Sequence, residues 1–199
     1  MAGTRWLSDE EQAAWRGLQR MQLQLSAKLN HQLTEDAGLS LPDYGMLVVL
    51  SEQPDGRLRP FELAREFGWE KSRLSHHISR MVGRGLVKRE KCPSDQRGAL
   101  VAITTRGRKA LADAAPGHVE SVRRWFVDLL TPAQLRALAS IGDTVVDALV
   151  QDCQGEGGLG GCEAPERSEH EAGASARAGA GTGHRRIVRA PNQSDPAMS

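Results

Sequence analysis

No uninterrupted apolar run approaches the ~18 residues of a membrane-spanning helix, so a helical span is excluded. The opening MAGTRWLSDEEQ carries no apolar core ahead of its acidic cluster and is not expected to act as a secretory signal. Cysteine is scarce: Cys92, Cys153 and Cys162 are odd in number and form no CxxC pair, which suits a reducing cytoplasm better than a disulfide scaffold. No internal repeat occurs. The glycine-rich GEGGLGG lacks the Lys-Ser/Thr of a phosphate loop and follows no strand, so it reads as linker. His76 and His77 are adjacent. On a helix they point about 100° apart and do not readily share an ion. No serine or cysteine stands in a pattern that supplies both an orienting carboxylate and an oxyanion site. The expectation is no metal, no cofactor and no catalysis.

A neutral average is also uninformative, because the net charge of +1 hides an uneven distribution. Residues 57–98 hold eleven Lys/Arg against five Asp/Glu, whereas residues 151–199 hold five Arg against seven Asp/Glu. A basic segment inside a patterned region points to a polyanionic partner; its plain alternative is a solvated face.

The pattern is mostly helical. Ser8 and Glu11 form a capping box ahead of Trp15, Leu18, Met21, Leu25, Leu29 and Leu33, whose spacing of three and four predicts a long amphipathic helix. So extended an apolar stripe suits packing against a partner chain. Gly38 ends it, and Ser40 caps a second helix with Leu41-Pro42 in its first turn. Pro54-Asp55-Gly56 is a turn, and a very short extended piece begins at Leu58. Pro60–Phe67 and Lys71–Val82 are two short helices joined at Gly68, a helix-turn-helix. Residues 86–91 and 99–103 read as strands around the polar loop 92–98, so a hairpin wing follows. Thr104 or Thr105 caps the next helix, which Pro116-Gly117 is expected to kink or break. Thr131-Pro132 starts a last helix with Leu135, Leu138, Ile141, Val145 and Leu149 inward. Residues 152–199, rich in Gly, Ala and Ser, are expected to form a disordered low-complexity tail.

The fold class expected is mainly α with a small β-hairpin wing: a winged helix-turn-helix over 40–103 and a helical dimerisation region over 8–36 and 104–150. This order, with LAREFG (63–68), KSRLSHHISRMVGRGLVKRE (71–90), SDQRG (94–98) and LVAITTRGRKAL (100–111), resembles the MarR family of bacterial transcription regulators. The resemblance spans about residues 8–150. It implies a homodimer in which the first and the last two helices interdigitate and each winged lobe reads half of an inverted repeat in double-stranded DNA. It also implies a small aromatic or anionic effector held between the dimer stem and the winged lobe. Glu70 departs from the family's pattern, in which Ser or Thr often caps the recognition helix.

On helix 71–82, Leu74, Ile78, Met81 and Val82 face inward, and His77, three residues after Leu74, is expected half-buried. The remaining Ser72, Arg73, Ser75 and His76 are candidates for base edges in the major groove, with Arg73 ranked first because bidentate Arg–guanine pairing is the commonest specific contact. Lys71, Ser79 and Arg80 are candidates for phosphate. Arg97 at the wing tip is a candidate for the minor groove, with Asp95 orienting it and holding the turn; a local salt bridge is the plain alternative. Cys92 at the start of the wing is a candidate redox switch, since oxidation there would disturb the hairpin; against it, the family's oxidation sensors keep their cysteine near the start of the first helix, where this chain has none. Trp15, Arg16 and His31 are candidates for the effector cleft, although a tryptophan at that spacing equally suits a dimer core. The function expected is a cytoplasmic, sequence-specific DNA-binding transcription regulator; the alternative is a winged-helix protein-interaction module without a DNA role.

Overall fold

The computed structural model describes residues 3–92 and 95–155, the side chains of 92, 95–98 and 152–155 excepted. Helix α1 spans Asp9–Ala37 and begins at the expected capping box, with the Glu11 amide donating to Ser8 Oγ and the Ser8 amide to Glu11 Oε2. Three acidic residues in its first turn complement the helix dipole. Helix α2, Leu41–Ser51, repeats the device with Ser40 and Asp43. A short strand β1, Arg57–Leu58, leads into α3, Pro60–Phe67, and then α4, Lys71–Gly83. Gly68 takes φ 59° between them, a left-handed conformation that ends α3 within one residue.

Strands β2, Val87–Cys92, and β3, Asp95–Ile103, form the wing and continue the sheet in the antiparallel order β1-β3-β2. The wing runs further than the sequence pattern suggests. Residues 95–98, expected as loop, already belong to β3, and the register shifts between Lys91 and Cys92 to absorb the extra residues. Helix α5, Thr105–Trp125, is capped by Thr104, whose hydroxyl accepts from the Gly107 amide. It continues through Pro116 as one helix, so of the expected kink or break the break does not occur. Proline deletes one ladder bond, but the turns on either side keep theirs and α5 packs along α1. A single 3₁₀ turn, Val127–Leu129, precedes α6, Pro132–Gly155.

One core holds the winged lobe together. Leu33 from α1, Met46, Leu47 and Leu50 from α2, Leu63 from α3, Leu74, Ile78 and Met81 from α4, and Val87 and Val101 from the sheet are fully buried and contiguous. Each such side chain contributes about 1.5–3 kcal/mol relative to leaving it exposed. This core fixes the seating of α4, because its four buried residues occupy one stripe and leave the opposite face outward. No helix among the described residues is long and apolar enough to cross a membrane. Of the tail expected over 152–199, residues 152–155 instead continue α6, and the rest lies outside the described residues.

Candidate nucleic-acid interface

Helix α4 presents its outward face as Ser72, His76 and Ser79, flanked by Lys71 and Ser75 on one side and Arg73 and Arg80 on the other; all seven are exposed. Leu74, His77, Ile78 and Met81 are the buried stripe, and Val82, expected inward, is exposed at the end of the helix. The expected major-groove and phosphate candidates therefore share one accessible surface. Glu70 caps the helix with its backbone only; its side chain makes no capping hydrogen bond.

Several of these side chains are already held. The Arg73 guanidinium lies over the Trp69 ring, 4.4 Å from its centroid, a cation–π contact that fixes an otherwise floppy side chain at the start of the helix. Trp69 is itself wedged between the Phe67 ring at 5.2 Å and the His77 ring at 5.1 Å. Ser79 Oγ donates to the Ser75 carbonyl and accepts from Arg89 Nη2 at 3.1 Å. Arg89 reaches α4 because it follows Val87 by two residues along β2 and so points to the same side of the strand. Lys88 and Glu90 alternate onto the other side, where Glu90 pairs with Lys88 and Arg57; the Lys88 hydrogen bond holds the Glu90 carboxyl below its ordinary range.

His77 is not half-buried but buried, 4% exposed. The reason is a polar pocket behind it. Arg80 Nη2 donates to His77 Nδ1 at 3.1 Å, and His77 Nε2 stands 3.1 Å from Asp43 Oδ1, out of line for a full hydrogen bond but within electrostatic reach. Asp43 accepts from the Ser40 amide and from Arg84 Nη1 at 2.7 Å, and Arg84 also donates to the Gly38 carbonyl. Burial alone would raise the Asp43 carboxyl, but His77, Ser40 and Arg84 outweigh it and hold the group well below the usual carboxylate range. Neither Arg84 nor Arg89 stands out in the sequence. Arg84 reaches groups 41 and 46 positions earlier, whereas Arg89 joins β2 to the preceding α4, ten positions from Ser79, and only the alternation along β2 hints at it.

The wing candidates Arg97 and Asp95, and Cys92 with them, have side chains outside the described residues. The three effector candidates do not come together. Trp15 is half-exposed on α1, Arg16 bonds Gln12 one turn earlier, and His31 pairs with Glu35 one turn later. A cavity of about 370 Å³ instead opens between α1, α2 and α4, lined by Asn30, Asp43, Trp69, Arg73, Arg80 and Arg84 among others. No cluster of His, Cys, Asp and Glu suited to a metal ion occurs among the described residues.

A sequence model of the MarR family matches residues 37–98, the segment from the end of α1 to the wing. The chain is 31% identical over 103 residues to the transcriptional regulator HosA of Escherichia coli O111:H-, covering 52% of this chain and 73% of HosA. Among solved structures, AbsC, a MarR family transcriptional regulator from Streptomyces coelicolor, superposes with a TM-score of 0.68 at 41% identity, covering 77% of this chain and all of AbsC. Sco3205, another MarR family regulator of that organism, solved in complex with DNA, gives a TM-score of 0.71 at 43% identity over 74% of this chain and 92% of its own. Matches of this extent, on the winged lobe and on the helices around it, place the chain in a group of regulators rather than enzymes: it belongs to the MarR family of transcriptional regulators.

Proposed function

We propose that the protein is a homodimeric, sequence-specific DNA-binding regulator that reads an inverted-repeat operator and responds to a small effector. The observation that carries the reading is the outward face of α4, where seven consecutive non-core positions are Lys, Ser, Arg and His and all are exposed. Such residues hydrogen-bond base edges and phosphates, and residues in the first turns of a recognition helix reach the base edges. Arg73, clamped on Trp69, and Ser72, Ser75 and His76 are assigned to bases; Lys71, Ser79 and Arg80 to phosphates; Arg97, with Asp95 beside it, to the minor groove. The similar regulator Sco3205 has been captured on DNA. A second copy supplies the other half-site. Supporting this, α6 buries none of its described side chains within one chain, and Trp15, Leu18 and Met21 on α1 are also uncovered. For the effector, the cavity beside α4 offers an indole ring and guanidinium groups, which suit an aromatic or anionic ligand. To act, such a ligand must bind one spacing of the two recognition helices better than the other.

The test is a titration of the full chain on the intergenic DNA beside its own gene at several salt concentrations. A specific complex is expected, with affinity falling steeply as salt rises because phosphate neutralisation releases counterions. Arg73→Ala is expected to lower discrimination by about 1–3 kcal/mol at one base pair per half-site. No specific complex, together with no effect of Arg73→Ala or Arg97→Ala, would sink the DNA reading and leave the protein-interaction module.

A further inference from the structure

His77 sits on the recognition helix among groups that bind, yet it points inward and touches none of the proposed partner. Its two ring nitrogens join different parts of the fold. Nδ1 meets Arg80, one turn along α4, and Nε2 faces Asp43 at the start of α2. An arginine only donates, so Nδ1 must be the acceptor in that contact, and the ring proton is left on Nε2, facing the carboxylate. Asp43 is in turn fixed by Ser40 within its own capping box and by Arg84, which also grips the carbonyl of Gly38 at the end of α1. The imidazole is further held edge-on by Trp69, 78° between ring planes. A chain of contacts thus runs from the end of α1, through Asp43 and His77, to a guanidinium on the outward flank of α4.

We propose that His77 is a positioning residue for Arg80: the Asp43–His77 pair holds the Arg80 guanidinium in the orientation from which it meets an operator phosphate. This rests on the assignment of Arg80 to phosphate made above. The physical gain is preorganisation. A long arginine that is ordered before binding loses less freedom when it docks, and one N–H spent on Nδ1 leaves the rest of the fork for the phosphate. Because the anchor is Asp43 on α2 rather than a residue of α4, the contact also reports how α4 is seated.

The readout is the slope of log affinity against log salt for the full-length protein on its operator, since each lost phosphate contact lowers that slope by about 0.9. Arg80→Ala should reduce it by about one per protomer. His77→Leu, which fills the site but offers no acceptor, should reproduce most of that loss, and the Arg80→Ala/His77→Leu double variant should lose no more than Arg80→Ala alone. His77→Asn, whose amide oxygen can replace Nδ1, should restore the slope. A merely structural role would lower affinity in parallel at all salts and leave the slope unchanged. A wild-type slope in His77→Leu, or additive losses in the double variant, overturns the proposal. An unchanged slope in Arg80→Ala overturns both the proposal and the phosphate assignment beneath it, which separates the two failures. Should His77→Leu not fold, the imidazole nitrogen spectrum of the unaltered protein decides: the Nε2–H tautomer, with an Nδ1 signal that moves in Arg80→Ala, is expected, and an Nδ1–H tautomer overturns the proposal.

Discussion

Asp43 and His118 set how the fold answers acid, and they do so from opposite charge states. Asp43 is held ionised by its partners, so its folded pKa lies below the ordinary 3.8. Between those two values the unfolded chain binds the extra proton. Its stabilisation is therefore complete above about pH 4 and is lost as pH falls further. His118 is the reverse case. It is buried on α5 against the Tyr44 ring, 4.3 Å between centroids, and burial pushes its pKa below 6.5. Neutral imidazole is the folded form, so protonation favours unfolding and stability drops as pH falls below that value. Thermal unfolding followed between about pH 7 and pH 5 should show a falling midpoint in the native protein and a flatter one in His118→Phe, which keeps the ring contact without a titratable group. Asp43→Asn should be less stable at neutral pH, with its curve converging on that of the native protein as pH drops below about 4. Equal pH profiles for native and variant chains would show that neither group is linked to folding. The candidate face of α4 is legible in the sequence because Ser, Arg and His between apolar positions at helical spacing stand in a single segment. Arg84, Arg89 and the depth of His77 are not legible there, because they depend on partners on other elements. Arg84 meets Asp43 across 41 positions of chain, and periodicity within a helix carries no record of that.

At the scale of elements, caps and breakers were the legible part. Ser8, Ser40, Thr104 and Thr131 begin helices through hydroxyls that accept from backbone amides, and Gly68 ends α3 by its left-handed backbone, all of them local effects. Packing was less legible. Pro116 reads as a break by propensity, but α5 is held by contacts along α1 and by its own flanking turns, so tertiary structure prevails. The junction of α5 with the wing shows the same limit. Gly107 lies in the first turn of α5, and a Cβ there would fall well inside contact distance of the Leu86 carbonyl and press on Ile103 and Leu47. Nothing in the sequence marks this glycine as a close approach rather than a simple weak helix former. Gly107→Ala would ordinarily favour the helix by about 1 kcal/mol. Here the backbone obstacle should reverse the sign and destabilise the fold by about 1–3 kcal/mol, measurable as a lower denaturation midpoint in urea with an unchanged slope. A more stable Gly107→Ala would show that α5 can shift away from Leu86 at little cost.

At the scale of the whole molecule, one chain leaves a run of large apolar side chains uncovered on α1 and α6. Ile141, Val145 and Leu149 recur every fourth residue along α6 and remain half or more exposed, and Trp15, Leu18 and Met21 form a matching stripe on α1. A helix in a protein owes most of its stability to packing of its apolar face, and α6 buries none of its described side chains within one chain, which favours a further surface against it. Within the proposed function that surface is the second copy, and the winged lobes then stand about one helical turn of DNA apart. Val145→Glu places a charge in the middle of this stripe. A carboxylate buried without a partner costs several kcal/mol per copy, and a twofold interface meets the substitution twice. Sedimentation should find the native chain dimeric and Val145→Glu monomeric, while the winged lobe, whose core α6 does not enter, keeps its fold. Helical content should fall in the variant, because the freed α6 has lost its packing. Operator affinity should collapse toward that of one half-site, and a DNA carrying a single half-site should bind native and variant chains more nearly alike. A Val145→Glu chain that stays dimeric and keeps full operator affinity would place the interface elsewhere and leave the apolar stripe of α6 to another partner.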